Sequence, residues 1–443
     1  MPTAGDSIVS FRSATLEGSL FLSFAYELYG SSADAKNKLT HMPIIDWLKT
    51  IMTEASADPA LDPAMLAISV RMCALRGGDV RMLSKANQLY TTALGALQNS
   101  LSGKESAMRD ETLAATCIMA LYELTDPERA DPDAWLSHIG GIAILLKARG
   151  PSRHRLPLAR ASFEHCRYIL MLHCLYKRNS LGFAEHRWMD DPWATGGERS
   201  MVQRVVDQGF RLAAILEQID DSARWPQGIH DAQRLVRYCD EAIQHIGLLK
   251  QELRVQEGWS PLLDTDDPNS SDKPLGEDVT NCLLLRLTAS AIELSLQEAA
   301  SEAFRKAREI VLDSAALNDD NDDTDERDLI SYQLQLIEAE VPPQSHRLVL
   351  AQEIVDESKL VFRGFDGSAM MMRLMFPLDA AAKQLKYQPR CPQYRECNEL
   401  MQGLQGRGGV GAPRQHPEQR TYTYMGKAMQ RSVGAISVLQ RRQ

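Results

Sequence analysis

The stretch D-E-T-L-A-A-T-C-I-M-A-L-Y-E-L-T-D-P-E-R-A-D-P-D-A-W-L-S-H-I-G-G-I-A-I-L-L-K-A-R-G-P, Asp110 to Pro151, reads as two helices joined by a short turn. Asp110 and Glu111 put acceptors and negative charge where a helix start leaves its first amides unpaired. Leu113, Cys117, Ala120, Leu121 and Leu124 recur at helical spacing until Pro127 stops the run. Asp131-Pro132 announces the second helix, an N-cap followed by a proline at the first helical position. Its stripe, Trp135, Ile139, Ile142, Leu145 and Leu146, ends at Arg149-Gly150-Pro151, a C-terminal stop. Gly140-Gly141 inside it needs a reason, because a mid-helix glycine costs about 1 kcal/mol against alanine. Close approach of a neighbouring helix is the expected one.

Working outward, apolar periodicity predicts helices over about 16–30, 41–55, 62–77, 83–101 and 156–177, then 199–219, 229–256 and 277–314. Further helices are predicted over 329–341, 345–361, 368–386 and 393–404, with a kink or break at Pro377. Residues 179–197 read as an ordered irregular loop with aromatic anchors. No segment shows period-two alternation bounded by turns, so the expected fold is all-α. The expected organisation is one helical domain over 1–411, with a sub-boundary in the polar linker 257–278 and a basic, flexible tail over 412–443. From Gly403 onward Arg407, Arg414, Arg420, Lys427, Arg431, Arg441 and Arg442 stand against a single acid, Glu418. Such a tail reads as a solvated end, with nucleic acid or an acidic partner as the alternative.

The run Leu113–Leu124, followed by Trp135, His138, Gly140-Gly141 and Leu145-Leu146, resembles the central helical hairpin of the fungal zinc-cluster transcription factors. These pair a binuclear zinc–cysteine DNA-binding module with a large helical regulatory domain. The resemblance includes Leu121-Tyr122-Glu123 and the Trp-x-x-His-x-x-Gly-x-x-x-Leu-Leu pattern of the second helix. Leu89-Tyr90 with Ala93-Leu94, and Leu374-Met375-Phe376-Pro377-Leu378, extend it in the expected order, from about Leu16 to Gly411. It implies a large multi-helical regulatory domain in the nucleus, with the cytoplasm as the alternative. It also implies other transcription regulators or a small-molecule effector as partners, and pairing as a homo- or heterodimer. Tyr122, Glu123, Trp135, His138, Gly140 and Gly141 are the family-pattern positions, read as structural or as lining an effector pocket.

Cysteine spacing marks where the chain departs from the family. The eight cysteines (Cys73, Cys117, Cys166, Cys174, Cys239, Cys282, Cys391, Cys397) are scattered through apolar helical contexts, which suits reduced, buried thiols. A zinc cluster needs short repeats such as Cys-x2-Cys to surround its ions, and these residues contain none. The 443 residues carry a net charge of −10, so direct DNA binding is not expected of this chain. At 44% hydrophobic and 24% charged residues, the composition supplies an ordinary globular core. M-P-T-A-G-D-S-I-V-S-F-R lacks a basic stretch followed by an apolar core, so no secretory signal is expected. Runs of about 18 apolar residues are missing, so no membrane span is expected either.

Catalytic signatures are missing too: no G-x-S-x-G, no phosphate-cradling G-x-x-x-x-G-K-[S/T], no H-E-x-x-H and no dinucleotide fingerprint. Glu164-His165-Cys166 and His173-Cys174 lie eight residues apart, about 12 Å along a helix. That is too far for one ion at bond lengths of about 2.0–2.3 Å. The carboxylate run at 318–328 lacks the glycine and the spaced final glutamate of a calcium loop and reads as solvated. No metal, cofactor or catalytic residue is expected. The functional expectation is therefore a transcription regulator-like protein acting through protein or effector binding. The alternative is an enzyme, of secondary metabolism for instance, that has re-used the helical scaffold.

Overall fold

The computed structural model describes residues 44–124, 132–196, 199–221, 228–256, 277–317, 324–364 and 368–407. The predicted helix at 16–30, most of the polar linker 257–278 and the tail from 408 lie outside them. Every regular element among the described residues is helical. In chain order these are α1 Ile44–Glu54, α2 Leu61–Gly77, α3 Val80–Ser102, α4 Lys104–Ala107, α5 Asp110–Leu124 and α6 Pro132–Arg149. After a 3-10 turn, Pro151–His154, follow α7 Pro157–Lys177, α8 His186–Asp190, α9 Met201–Asp220, α10 Gly228–Gln256 and α11 Glu277–Leu317. The last four are α12 Thr324–Glu340, α13 Gln344–Gly364, α14 Ser368–Leu385 and α15 Pro392–Arg407.

Local chemistry explains the boundaries. Buried Asp58 accepts from the amides of Ala60 and Leu61 at 2.8 and 3.0 Å and starts α2. Gly78, at φ +62°, ends it. Asp79 then caps α3 through the amides of Arg81 and Met82. α14 runs through Pro377 without a break, where sequence reasoning expects a kink or break.

The α5–α6 hairpin is the centre of the larger core. Residues 112–122 of α5 are all buried, not only the predicted stripe, because α2, α3, α6 and α7 surround the helix. Buried Arg149 closes the open end of the hairpin. Its guanidinium donates to the carbonyls of Met108 and Arg109 and to the carboxylate of Asp110 at the start of α5.

A second core forms from α13, α14 and α15 against α11. α11 serves both. Leu285, Ala289, Ile292, Leu296, Ala299 and Ala303 face the larger core, while Leu283, Leu284, Leu287, Ala291 and Leu294 face the smaller one. Each series recurs every three to four residues, so one helix carries two apolar faces. Its Val279–Leu312 part has the length and composition to cross a membrane, but 83% of its most apolar window is buried inside the protein. It is a core helix.

Candidate functional site

The motif residues come together first. Tyr122 and Glu123 end α5 beside Tyr90 of α3, so the Leu89-Tyr90 and Leu121-Tyr122-Glu123 patterns, 33 residues apart, touch. The Tyr90 and Tyr122 rings stack at 4.5 Å, and the Tyr90 hydroxyl donates to the Glu123 carboxylate. Tyr122 donates to Asn87 Oδ1 at 2.8 Å, and the Arg71 guanidinium lies over its ring. Burial and the Glu123 carboxylate push the Tyr90 phenol well above its ordinary range. The pair is a clip between two helices.

No described residue lies within 4 Å of a Cβ placed at Gly140 or Gly141, and Gly141 is exposed. Among the described residues a close helix approach is made at Gly209, where a Cβ would strike Met171 Sδ of α7. The side chains of Trp135 and His138 lie outside the described residues. Beneath the hairpin, Cys117, Ile139, Ile142, His165, Cys166 and Ile169 enclose a void of about 10 Å³, room for one water at most. The interior of the hairpin is packed.

Of the His-Cys pairs of α7, His165, Cys166 and Cys174 are core and His173 is half-buried. His165 stacks on Trp47 at 3.8 Å, and burial holds its imidazole down at about 3. Cys117, hydrogen-bonded to Cys166 and desolvated, is held well above the ordinary thiol range. Burial and the Glu217 carboxylate push Cys174 up to about 12. These thiols stay protonated at neutral pH and are poor nucleophiles. Among the described residues no three His, Cys, Asp or Glu side chains are grouped to hold a metal.

Room for a ligand lies at the other end of the hairpin. A cleft of about 510 Å³ opens between the last turn of α6, the loop after α7 and α9, within the range of about 300–1,000 Å³ usual for small-molecule sites. Lys147, Gly150 and Pro151 form one side, Leu181 and Gly182 another, and Glu185, Arg187 and Trp188 a third, with Glu217 and Asn179 also lining it. The loop is tightly built. Ser180 donates through both its amide and its hydroxyl to Glu217, at 3.1 and 2.8 Å, and the Leu181 amide donates to Asn179 Oδ1 at 2.8 Å. Arg178 ties the loop to α9 and α11 through Asp220 and Glu302.

Arg178 and Leu181 hold φ near +50°, a left-handed conformation that costs a side-chain-bearing residue roughly 1–2 kcal/mol. Such strain persists only where surrounding bonds over-determine it, and it clusters at ligand sites. Behind the cleft, Trp188 packs on Phe183 at 4.8 Å. His154 stacks on Phe163 at 4.8 Å, and burial together with the Arg149 charge holds it down at about 3. The lining offers both signs of charge, an amide and an indole, groups that can hold a polar ligand. The irregular 179–197 loop and the Arg149-Gly150-Pro151 stop mark this region in the sequence. Lys147 and Glu217 carry no local signal, since helix faces on separate elements deliver them.

The model of the fungal-specific transcription factor domain matches residues 39–349, which include the hairpin, the cleft and the whole of α11. Among curated proteins, an uncharacterized protein of Emericella nidulans, AN5342, is 29% identical over 178 residues, 39% of this chain and 38% of that relative. The chain thus spans well under half of that relative's length. No solved structure matches the chain.

Proposed function

We propose, from the premise that this chain belongs to the fungal-specific transcription factor domain family, that it regulates transcription in the nucleus by binding a polar effector or a protein partner. The cleft beside α6 carries the effector part of this reading. It lies inside the matched region, combines charges of both signs with a buried indole edge, and is bounded by a loop held in a strained conformation. These residues are acidic and hold no zinc-cluster cysteine spacing, a poor match for phosphates, so it is the effector or partner they bind that carries their own influence on a promoter.

Tethering the full chain to an unrelated DNA-binding module upstream of a reporter tests this. Reporter output should rise or fall, and Lys147→Glu with Arg187→Glu should alter that output while leaving the melting temperature unchanged. A tethered chain that leaves the reporter at its baseline in fungal nuclei overturns the reading.

A further inference from the structure

α12 is docked by one edge only. Ile337 is buried and Ile330 and Leu334 are half-buried, while Leu329, Tyr332 and Leu336 are 56, 59 and 45% exposed. Offsets of three and seven residues put those three side chains within about 60° of one another round the helix. They form a continuous outer stripe, with exposed Asp328 and Glu340 at its two ends. A row of large apolar groups on an outward face has the form of a seam for a second amphipathic segment. Its acidic border selects a basic one.

The chain itself contains such a segment. Within 425–442, Met425, Met429, Val433 and Ile436 recur every three or four residues, and Lys427 and Arg431 lie among them. This segment lies outside the described residues, but its tether is measurable. Seventeen residues separate Arg407, the end of α15, from Met425, a reach of up to about 55 Å at roughly 3.3 Å each. α15 packs on α13, which begins only a few residues after α12 and is about 30 Å long. The tether is ample.

We propose that the outer face of α12 is an intramolecular dock for the basic segment 425–442. Leu329, Tyr332 and Leu336 receive its apolar side chains, and the flanking carboxylates face Lys427 and Arg431. Docking covers an exposed apolar face and neutralises part of an acidic surface, and a competing polyanion would release the tail.

Carbodiimide cross-linking, which joins an amine directly to a carboxylate, tests the dock on a dilute equal mixture of ¹⁴N- and ¹⁵N-labelled full chains. Lys427 should couple to acids of 325–340 within a single chain. Met429→Asp with Val433→Asp, outside the described residues, should abolish that product, as should Leu329→Asp with Tyr332→Asp on the receiving face. Three outcomes overturn the proposal: products that pair ¹⁴N with ¹⁵N chains, which mean a second copy occupies the face; no coupling of Lys427 to this helix; or coupling that the Met429→Asp, Val433→Asp variant leaves undiminished.

Discussion

Gly209 sits where α9 crosses α7, and a single added methyl there would strike the thioether of buried Met171. Gly209→Ala should lower stability by about 1–3 kcal/mol through overpacking, read as a shift in denaturant midpoint. Gly140→Ala and Gly141→Ala, which meet no described neighbour, should each raise it by about 0.5–1 kcal/mol. Charge matters equally at this scale. Buried Arg167 lies over the rings of Phe163, Trp193 and Phe210 and donates to Asp207 and Gln203, while Arg199 donates to the other Asp207 oxygen. Asp207→Asn strands a buried guanidinium and should cost about 3–5 kcal/mol, measured by the same unfolding curves. His154 and His165 are held near 3 against an ordinary value of 6.5. The unfolded chain therefore binds more protons than the folded one between those values. Their contribution is fully present above pH 6.5 and is lost as pH falls toward 3, at about 1.4 kcal/mol per pH unit for each. His154→Phe should flatten that slope in a pH series of unfolding midpoints. None of these environments was legible in the sequence, because a glycine's or histidine's neighbours come from helices dozens of residues away.

Helices, by contrast, write themselves locally. The predicted and observed bounds of the hairpin agree within a residue or two at the described ends, because Asp110, Pro132 and Gly150 act on amides and carbonyls within one turn of themselves. The start of α3 at Val80 rather than Leu83 follows from Asp79, a cap that an apolar-stripe reading passes over. What periodicity hides is enclosure. A helix buried on all sides, as α5 is over 112–122, has no polar face to contrast with its apolar one, so only part of its core shows as a stripe. The α3–α5 clip belongs to this scale. In a double-mutant cycle, Tyr90→Phe and Glu123→Gln should couple by about 0.5–3 kcal/mol, the range for residues in direct contact. Additive effects would show that stacking alone holds the two helices.

Across the whole molecule, two cores share one helix. Leu378→Ala, in the smaller core, should cost about 2–5 kcal/mol. Hydrogen exchange should speed up through α13–α15 while the hairpin of the larger core keeps its protection. The all-α class and the family were both readable from the hairpin motifs. The partition into two cores was not, because over Leu283–Leu294 both faces of α11 are apolar, and there the sequence shows only one apolar stretch.

The 41 residues of α11 extend over roughly 60 Å, and both of its faces are in use at once between Leu283 and Leu294. Each residue added to or removed from that span would turn everything beyond it by about 100° and slide it by about 1.5 Å. Every later apolar side chain would then lose its place in both cores together. Length variation among homologues should therefore gather in the connections on either side of α11 and spare its middle, where the helix acts as a ruler whose graduations two separate structures must read alike.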